Sequence, residues 1–292
     1  MKLNEITLPS TINFHINWHC NADCVFCYRP EGAELSDPER KALIRAIAAL
    51  PPLNSQAGSR RINFAGGEPT LVKTLPDILD YTRSHGLSTS FITNGTVYHN
   101  KPVKLREVVD KLDMIGFSID SVNEASNLAI QRPHFSVGSW LKVGQVVKDR
   151  GVYLKINTTV CRFNMNENLN LFIANMNPDR WKIFQAIAVE GTIGTRNYCA
   201  DDWIVSDTEF SEFVERHAEA TSAPVVESDA ALRGSYAMIS PDGRFYDSTQ
   251  GHYTWSDPIL EVGVEEAFAQ VAFSQQKFVQ RGGVFSIPVV AL

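Results

Sequence analysis

Long apolar runs are absent from this chain of 292 residues. No segment approaches the about 18 consecutive apolar residues that suggest a membrane-spanning helix. The amino-terminal stretch MKLNEITLPS also lacks the apolar core of a signal peptide. The sequence therefore predicts a soluble protein that has no membrane partner and stays in the reducing cytoplasm.

An excess of positive charge is absent as well. The chain has 27 lysines and arginines against 33 aspartates and glutamates, which gives a formal net charge of -6. A broad surface that binds nucleic acid or an anionic membrane needs the opposite balance. We therefore expect no direct contact with nucleic acid, and any anionic ligand must be held by a local group of cations.

Cysteines are few, and their spacing is uneven. Three of the five, Cys20, Cys24 and Cys27, fall within eight residues, whereas Cys161 and Cys199 stand alone far downstream. Clustered cysteines in a reducing compartment are more often metal ligands or redox groups than structural disulfides. The cluster is therefore a candidate site, and the two isolated cysteines are expected to be bystanders.

Apolar runs of strand length recur along the first two thirds of the chain, with helical patterns between them. The runs cover residues 11–17, 61–65, 88–93, 113–119, 153–160 and 181–189. Runs that are apolar at nearly every position suit parallel strands that are buried on both faces. Capping-box patterns begin at Ser36 and Ser206 and predict helix starts there. The sequence thus predicts an α/β fold made of serial βα units.

The pattern changes after about residue 221. Two short extended pieces, SYAMIS and RFYDS, are joined by Pro-Asp-Gly at 241–243, which predicts a β-hairpin, and the helical pattern VGVEEAFAQVAF follows. We divide the chain into an amino-terminal segment at 1–10, an α/β body at 11–220 and a carboxyl-terminal cap at 221–292 that covers the active site.

The cysteine cluster follows the first predicted strand directly, at the strand end where α/β folds bind ligands. In the spacing C-x3-C-x2-C, three thiolates can bind three irons of a [4Fe-4S] cluster and leave the fourth iron without a protein ligand. Two other interpretations stay open on these residues alone. Cys24 and Cys27 could form a redox pair, and the three cysteines with His15 or His19 could form a zinc site.

With Phe26 immediately before the third cysteine, this loop resembles the cluster loop of radical S-adenosylmethionine (SAM) enzymes. The resemblance implies a partial (βα)6 barrel whose open iron binds the amino and carboxylate groups of SAM. It also implies that one electron cleaves SAM to methionine and a 5'-deoxyadenosyl radical, which takes a hydrogen atom from the substrate. Phe26 would pack near the adenine of SAM.

Three further motifs follow predicted strands two, three and four. Gly66-Gly67-Glu68-Pro69 is similar to the family's motif for the SAM amino group, and Glu68 would accept from the ammonium. By the same resemblance Asn94 and Ser118 would contact SAM, and Arg132 would pair with its carboxylate. On the residues alone, a tight turn at 66–69, a hairpin turn at 94–95 and a solvated helix face for Arg132 remain open.

Several longer strings resemble the viperin family of radical SAM nucleotide dehydratases in the same order, among them RINFAGGEPTL, KINTTVCRFNMNE, NPDRWKIFQ, SDTEFSEFVERH and EVGVEEAF. The resemblance implies a lyase that converts CTP, UTP or GTP to the 3'-deoxy-3',4'-didehydro nucleotide, an antiviral chain terminator, by removal of the ribose 4' hydrogen. The short stretch before Cys20 makes us expect a soluble prokaryotic type without the membrane-associating extension of vertebrate viperins. An electron donor such as a flavodoxin or ferredoxin and a monomeric state are further expectations.

A triphosphate carries about four negative charges near neutral pH by analogy with phosphate ionisation. By resemblance its ligands would be Arg61, Lys155, Arg180 and Lys182, with Asn157 near the substrate. Residues two apart in a strand share one face, so 155 and 157, and likewise 180 and 182, point the same way. The alternative is that these cations lie at strand ends and reach solvent. Arg61 stands where the family usually has lysine.

The match to the family weakens in residues 247–257, where the chain reads DSTQGHYTWSD. No lysine or arginine occurs between Arg244 and Lys277, so this region predicts neither a triphosphate contact nor a base preference. Arg281-Gly282-Gly283 could close over the site or form a plain turn. Two competing functions stay open, a radical SAM enzyme that modifies a peptide or builds a cofactor, and a non-catalytic metal-binding protein.

Overall fold

The computed structural model describes residues 8–51, 59–220, 223–285 and 287. They form a ten-stranded sheet with the strand order β10-β9-β8-β1-β2-β3-β4-β5-β6-β7. The strands are β1 Thr11–Asn17, β2 Arg61–Gly66, β3 Ser88–Thr93, β4 Met114–Ser118, β5 Tyr153–Val160, β6 Arg180–Gln185, β7 Val225–Glu227, β8 Ala237–Ile239, β9 Arg244–Asp247 and β10 Thr254–Pro258.

Helices connect the parallel strands and cover the outer face of the sheet. They are α1 Asp37–Ala48, α2 Leu75–Ser84, α3 Thr96–Asn100, α4 Val103–Val109, α5 Glu124–Ile130, α6 Val137–Asp149, α7 Asn170–Met176, α8 Ile193–Asn197, α9 Ala200–Trp203, α10 Asp207–Arg216, α11 Asp229–Leu232, α12 Ile259–Val262, α13 Val264–Ala269 and α14 Gln275–Gln280, with a 3-10 turn at Pro69–Leu71. In α10 the predicted capping box is confirmed, because Ser206 N donates to Glu209 Oε2 at 2.8 Å and Glu209 N donates to Ser206 Oγ at 3.2 Å.

Strands β1 to β7 pair in parallel, each with its sequence neighbour. Strand β5 shows how the sequence fits this sheet. Its alternate residues Leu154, Ile156, Thr158 and Val160 are fully buried, whereas the residues between them are only partly buried and face the inside of the curved sheet. The inner face is therefore free to carry polar side chains while the outer face packs against helices.

The sheet is open among the described residues, since β7 and β10 are its edges and do not pair with each other. The predicted α/β fold with a partial parallel barrel is confirmed. One predicted strand ends early: the apolar run continues to residue 189, but β6 ends at Gln185 and Ala186 and Ile187 line a cavity instead. Their apolar character reflects that cavity and the core, and not strand pairing.

The residues after 222 add strands to both edges of the barrel sheet. Strand β7 pairs in parallel with β6, and β8 pairs in parallel with β1. Strands β8 and β9 form an antiparallel hairpin around Gly243, whose φ of 82° is in the left-handed region that glycine tolerates. The division into segments 1–10, 11–220 and 221–292 stays a prediction, and residues 1–7, 221, 222 and 288–292 lie outside the described residues.

Two apolar clusters hold the fold together. The larger one fills the space between the sheet and its helices, with Phe14, Phe64, Phe91 and Phe117 fully buried along neighbouring strands. The smaller one surrounds the cysteine loop and consists of Cys24, Val25, Phe26, Ile130, Cys161, Ala186 and Trp203. Within the described ranges, no helix combines the length and apolar character that crossing a bilayer would take.

Candidate functional site

A cavity of about 250 Å³ lies on the inner face of the sheet. Most of the residues predicted from the sequence line it, namely Cys20, Cys24, Phe26, Cys27, Gly66, Gly67, Glu68, Asn94, Ser118, Arg132, Lys155 and Asn157. Arg61, Arg180 and Lys182 do not line the cavity and lie nearer the amino-terminal ends of the strands. Of residues 247–257, Ser248 lines the cavity.

Two glycines allow the loop after β2 to approach the loop after β1. A Cβ on Gly66 would lie 2.1 Å from the carbonyl oxygen of Asn17, and one on Gly67 would lie 1.9 Å from that of His19. The backbones are joined by hydrogen bonds from Gly67 N to Asn17 O at 2.8 Å and from Glu68 N to His19 O at 2.7 Å. We call the loops that carry Cys20, Cys24 and Cys27 and residues 66–68 the cysteine end of the cavity.

The three cysteines have different surroundings. Burial raises the pKa of the Cys24 thiol to about 12 and also raises the pKa of Cys20. Cys20 Sγ accepts from Ala22 N at 3.4 Å and from Asn94 Nδ2 at 3.8 Å, and Cys27 Sγ accepts from Arg29 Nη1 at 3.2 Å. Without a metal Cys20 and Cys24 are therefore protonated thiols, and binding of a metal group would release their protons.

The cysteine end places three thiols along one cavity. Among the described residues, no three histidine, cysteine, aspartate or glutamate side chains are arranged to share one metal ion. A tetrahedral zinc site needs such convergence, whereas an iron–sulfur cluster binds each thiolate to a separate iron. All three sulfurs belong to residues that line one cavity, and this arrangement fits a cluster.

The Glu68 carboxylate connects the loops after β2 and β3. Its Oε1 accepts from Thr70 N at 3.1 Å, from Thr70 Oγ1 at 2.5 Å and from Thr93 Oγ1 at 2.7 Å, and its Oε2 accepts from Asn94 N at 2.8 Å. Burial raises the pKa of Glu68, an effect that these hydrogen bonds oppose. The carboxylate is thus held in one position at the wall of the cavity.

Asn94 and Arg132 complete the upper wall. Asn94 Nδ2 donates to Asn21 Oδ1 at 2.8 Å, and its Oδ1 accepts from Thr96 N at 2.9 Å. Arg132 does not lie on a solvated helix face: its side chain is 12% exposed and its Nε lies 2.6 Å from Asp120 Oδ2. Burial lowers the pKa of Arg132, but the negative charge of Asp120 opposes this effect; the pKa is raised and the guanidinium stays charged.

Helix α8 supports the cysteine loop from the other side. Gly194 N donates to Cys27 O at 2.8 Å, and a Cβ on Gly194 would lie 2.7 Å from Val25 O. Phe26 is buried in the small apolar cluster and also borders the cavity. Gly194 could not be identified from the sequence, because an isolated glycine has no local pattern that reports a contact distant in sequence.

The opposite end of the site is a group of cations that we call the cationic floor: Arg61, Lys155, Arg180, Lys182 and Arg281. The register of β5 and β6 pairs Lys155 with Arg180 and Asn157 with Lys182, so all four side chains leave the sheet on one face. Arg61 begins the neighbouring parallel strand β2. None of these five cations is exposed to solvent at a strand end. Arg61, Lys182 and Arg281 are buried, and Lys155 and Arg180 are partly buried.

Glu227 is the carboxylate that contacts the floor. It forms a very short ion pair with Lys182, accepts from Tyr236 Oη at 2.5 Å, and lies 3.4 Å from Arg281 Nη1. Arg281 also donates to Ser235 O, from Nε at 3.0 Å and from Nη2 at 2.8 Å, and stacks on the Tyr236 ring at 3.6 Å. The 281–283 segment therefore packs against the floor, and Arg281 joins the predicted cations.

Several polar atoms of the floor have no partner in the described part of the chain. These are Nε and Nη1 of Arg61, Nε of Arg180 and Oδ1 of Asn157, all shielded from solvent. Burial lowers the pKa of Arg61 to about 10 and that of Lys182 to about 8, and burial together with Lys182 lowers the pKa of Lys155 well below its usual value. Desolvated cations with unused donors are costly unless an anion joins them.

Phe285 covers the outer side of the floor. Its ring centre lies 4.5 Å from the Arg61 guanidinium carbon and 4.0 Å from that of Arg180. Arg180 Nη2 also donates to Gly282 O at 2.5 Å, so the last described residues are attached to the floor at two points.

Between the two ends lie further polar residues, of which only His15 stood out in the sequence, as a possible zinc ligand. Asn63 Nδ2 donates to Asn13 Oδ1 at 2.8 Å, Ser90 Oγ donates to Asn63 Oδ1 at 2.8 Å, and His15 lies 2.8 Å from Tyr246 Oη through its Nδ1. Asn13, His15 and Asn63 line the cavity. In TINFHIN and RINFA, polar residues alternate with apolar ones. Residues two apart in a strand share one face, as Lys155 and Asn157 do, so this alternation indicates a polar inner face.

Comparison with known proteins identifies the family. The Radical SAM superfamily model matches residues 19–171. An S-adenosylmethionine-dependent nucleotide dehydratase from Flammeovirga pacifica is 32% identical over 95% of this chain and 96% of its own length. The S-adenosylmethionine-dependent nucleotide dehydratase RSAD2 of Oncorhynchus mykiss is 32% identical over 95% of this chain and 80% of its own length. A relative of the same description from Lacinutrix mariniflava is 34% identical over 98% of this chain, which spans 60% of that protein.

Solved structures show the same fold at low sequence identity. The native enzyme anSMEcpe with bound AdoMet superposes with a TM-score of 0.64 at 14% identity, covering 95% of this chain and 84% of that one. Coproporphyrinogen III oxidase from Escherichia coli, described as a radical SAM enzyme, gives a TM-score of 0.54 at 12% identity over 94% and 74% of the two chains. The likeness to these proteins concerns the fold alone.

The family model and the relatives confirm the resemblance that the motifs predicted. Membership implies that the protein uses SAM and an iron–sulfur cluster, for which the cysteine end provides thiol ligands on one cavity. The chain belongs to the radical SAM superfamily and, within it, to the viperin family of S-adenosylmethionine-dependent nucleotide dehydratases.

Proposed function

We propose that this protein is a radical SAM lyase that converts a ribonucleoside triphosphate, CTP, UTP or GTP, to its 3'-deoxy-3',4'-didehydro analogue, an antiviral chain terminator. The observation that carries the proposal is the cationic floor. Five cations meet on the inner face of a barrel whose other end has the cysteine motif of the family. A ligand that reaches both ends needs a strongly anionic group at one end and a reactive carbon at the other.

The charge of the floor matches a triphosphate. Glu227 neutralises part of it through Lys182 and Arg281, and Lys155 Nζ has no hydrogen-bond partner within the ranges the structure describes. We assign Arg61, Lys155, Arg180 and Lys182 to the phosphates and Asn157 to the substrate beside them. A triphosphate would bring about four negative charges and would use the donors of Arg61 and Arg180 that now lack partners.

At the cysteine end we assign Cys20, Cys24 and Cys27 to a [4Fe-4S] cluster, and Phe26, Gly66, Gly67, Glu68, Asn94, Ser118 and Arg132 to SAM. When bound, these groups supply a 5'-deoxyadenosyl radical that removes the ribose 4' hydrogen, after which the 3' hydroxyl leaves as water and one more electron and proton are taken up. Glu68 would accept from the SAM ammonium, and Arg132, which Asp120 keeps charged, would bind its carboxylate.

The protein residues between the ends would orient the ribose and exclude water. Strand geometry separates Lys155 from the carboxyl end of β5 at Val160 by roughly 16 Å, at about 3.3 Å for each residue. Asn13 and Asn63 lie in this interval and are linked to each other, so they can hold sugar hydroxyls in one orientation. An enclosed site also protects a reactive radical from side reactions.

The test is an anaerobic assay of the reconstituted protein with SAM, dithionite and each of the four nucleoside triphosphates. We expect 5'-deoxyadenosine to rise above the substrate-free background with at least one of CTP, UTP and GTP. With a substrate deuterated at the 4' carbon, the 5'-deoxyadenosine should gain one mass unit. Mass spectrometry should show a nucleotide product that differs from the unlabelled triphosphate by the loss of one water, as the 3'-deoxy-3',4'-didehydro analogue requires.

The matching nucleoside and nucleoside monophosphate serve as controls, since the floor should discriminate against both. Absence of 5'-deoxyadenosine above background with all four triphosphates, from protein with a full iron content, would refute the dehydratase assignment. A flavodoxin or ferredoxin should replace dithionite as electron donor, and we propose that the protein works as a monomer in the cytoplasm without contacting nucleic acid.

A further inference from the structure

Arg29 contacts the cysteine loop but has no role in the function proposed above. Its Nη1 donates to Cys27 Sγ at 3.2 Å, and its Nε is buried without a partner among the described residues. Pro30 follows it, and the residue before a proline is restricted to extended backbone, which limits where the Arg29 side chain can start. The guanidinium is therefore held at the sulfur and is not a freely moving surface group.

The three cysteine sulfurs receive unequal hydrogen bonds. Cys20 Sγ accepts from two neutral donors, Ala22 N at 3.4 Å and Asn94 Nδ2 at 3.8 Å. Cys27 Sγ accepts from a cation at the shorter distance of 3.2 Å. Hydrogen bonds with an ionised partner are roughly twice as strong as neutral ones. Among these hydrogen bonds to the cysteine sulfurs, the one from Arg29 is therefore both the shortest and the only one from a cation in the described part of the chain.

Reduction of an iron–sulfur cluster adds one negative charge to the cluster and its thiolates. A positive donor at a thiolate stabilises the reduced form more than the oxidised form, and hydrogen bonds to sulfur and net charge are known determinants of cluster potentials. We propose that Arg29 raises the reduction potential of the cluster by donating to Cys27 Sγ. Arg29 is in this sense a positioning residue, and the step is the transfer of one electron from an external reductant without proton movement.

This inference rests on the proposed [4Fe-4S] cluster but not on the nucleotide substrate. It is tested by titrating the reconstituted protein with dithionite and mediator dyes, without SAM or nucleotide, while the signal of the reduced cluster is followed by electron paramagnetic resonance. For Arg29→Gln we expect the equilibrium constant for reduction to fall about tenfold, which is about 59 mV for a one-electron couple. Arg29→Lys keeps the charge without the guanidinium geometry, so the midpoint potential of its cluster should lie between those of wild type and Arg29→Gln.

Arg196→Gln is the matched control. Arg196 lies on α8, whose backbone contacts Cys27, but its guanidinium pairs with Glu31 at 2.7 Å and its side chain is 47% exposed. Loss of this screened charge should leave the midpoint unchanged.

Iron content is measured for every variant, so that loss of the cluster is separated from a change in its potential. A wild-type midpoint in Arg29→Gln with full iron overturns the inference, and so does an equal shift in Arg196→Gln. If Arg29→Gln retains no cluster, Arg29→Lys decides in the same way: a lowered midpoint supports the inference and an unchanged one overturns it. A wild-type protein that binds no cluster would instead refute the cofactor assignment of the proposed function.

Discussion

The cysteine end and the cationic floor share the inner face of one sheet but are built in different ways. The cysteine end consists of continuous loops that follow β1 and β2, and close backbone contacts through Gly66 and Gly67 hold them together. The floor consists of single side chains from β2, β5, β6 and the segment after α14, and ion pairs with Glu227 hold part of it together. Backbone geometry controls the first region, and electrostatics controls the second.

This difference implies that the two ends can be disturbed separately. A change at the cysteine end should remove the cofactor whatever nucleotide is present, because the loop geometry fails. A change on the floor should leave the cofactor in place and alter nucleotide binding, because only charge is lost.

Cys24→Ala should have the largest effect. Cys24 is buried and belongs to both the cavity wall and the small apolar cluster. In the described ranges the only other cysteines that line the cavity are Cys20 and Cys27, so no further cysteine can replace it. We expect iron binding after reconstitution to fall sharply and 5'-deoxyadenosine to drop to background. Iron analysis and liquid chromatography measure these quantities. Cys199→Ala, at an exposed cysteine, is the control and should behave as wild type.

Gly67→Ala should damage the cysteine end without removing any of the three cysteines. Its new Cβ would lie 1.9 Å from the backbone oxygen of His19, which no side-chain rotation can relieve. We expect lower iron content and a loss of about 1–3 kcal/mol or more in the free energy of unfolding. Gly32→Ala is the matched control, because a Cβ on Gly32 meets nothing within 4 Å. Equal iron contents in the two variants would contradict the role given to this close approach.

Lys155→Met should affect the floor alone. The variant loses a desolvated cation that faces the cavity, and removal of one partner of an enclosed charge pair costs about 2–5 kcal/mol of binding. The dissociation constant for the nucleoside triphosphate should therefore rise roughly thirtyfold or more, as calorimetry would measure, while the iron content stays that of wild type. The ligand-free variant should be at least as stable as wild type, since the desolvation penalty disappears.

The control for Lys155→Met is Lys142→Met, at an exposed lysine of α6. It removes the same charge from the surface and should change neither the nucleotide dissociation constant nor the iron content. Loss of iron in Lys155→Met would show that the two ends are not separable.

The floor also predicts opposite pH dependences for stability and for nucleotide binding. Burial lowers the pKa of Lys182 to about 8, although Glu227 opposes the shift, and an unfolded lysine titrates near about 10.4. Below about pH 8 the lysine is charged in both states and the burial penalty is fully present. Between about pH 8 and about pH 10 the unfolded chain binds more protons, so the free energy of unfolding of the ligand-free protein should rise by about 1–3 kcal/mol.

Nucleotide affinity should fall over the same pH interval, because the triphosphate requires the charge that Lys182 is losing. Urea unfolding without ligand and calorimetry with a nucleoside triphosphate measure the two trends. In Lys182→Met, both the free energy of unfolding and the nucleotide affinity should depend less on pH over this interval. Affinity that is constant from about pH 7 to about pH 10 would contradict the assignment of Lys182 to the phosphates.

The same contrast explains what could be predicted from the sequence. Strands at 11–17, 88–93 and 153–160 have the predicted bounds, because period and composition are local properties. The cysteine loop could be identified because its residues are contiguous. Glu227 could not, since it ends a three-residue strand and meets Lys182 only through the pairing of β6 with β7. The contact of Arg29 with Cys27 likewise depends on a side-chain direction that spacing does not report.

Arg61→Lys should have the smallest effect, and it tests whether charge alone defines the floor. The substitution keeps the charge and replaces the guanidinium with an ammonium group. It removes the stacking of the guanidinium on Phe285, whose ring centre is 4.5 Å away, and such a contact is worth about 0.5–2 kcal/mol. A lysine also gives up the planar set of donors, of which Nε and Nη1 are now without partners.

If charge dominates, the nucleotide dissociation constant should change by about threefold or less, whereas Arg61→Met should weaken binding far more. A large loss in Arg61→Lys would mean that the floor, like the cysteine end, depends on exact geometry.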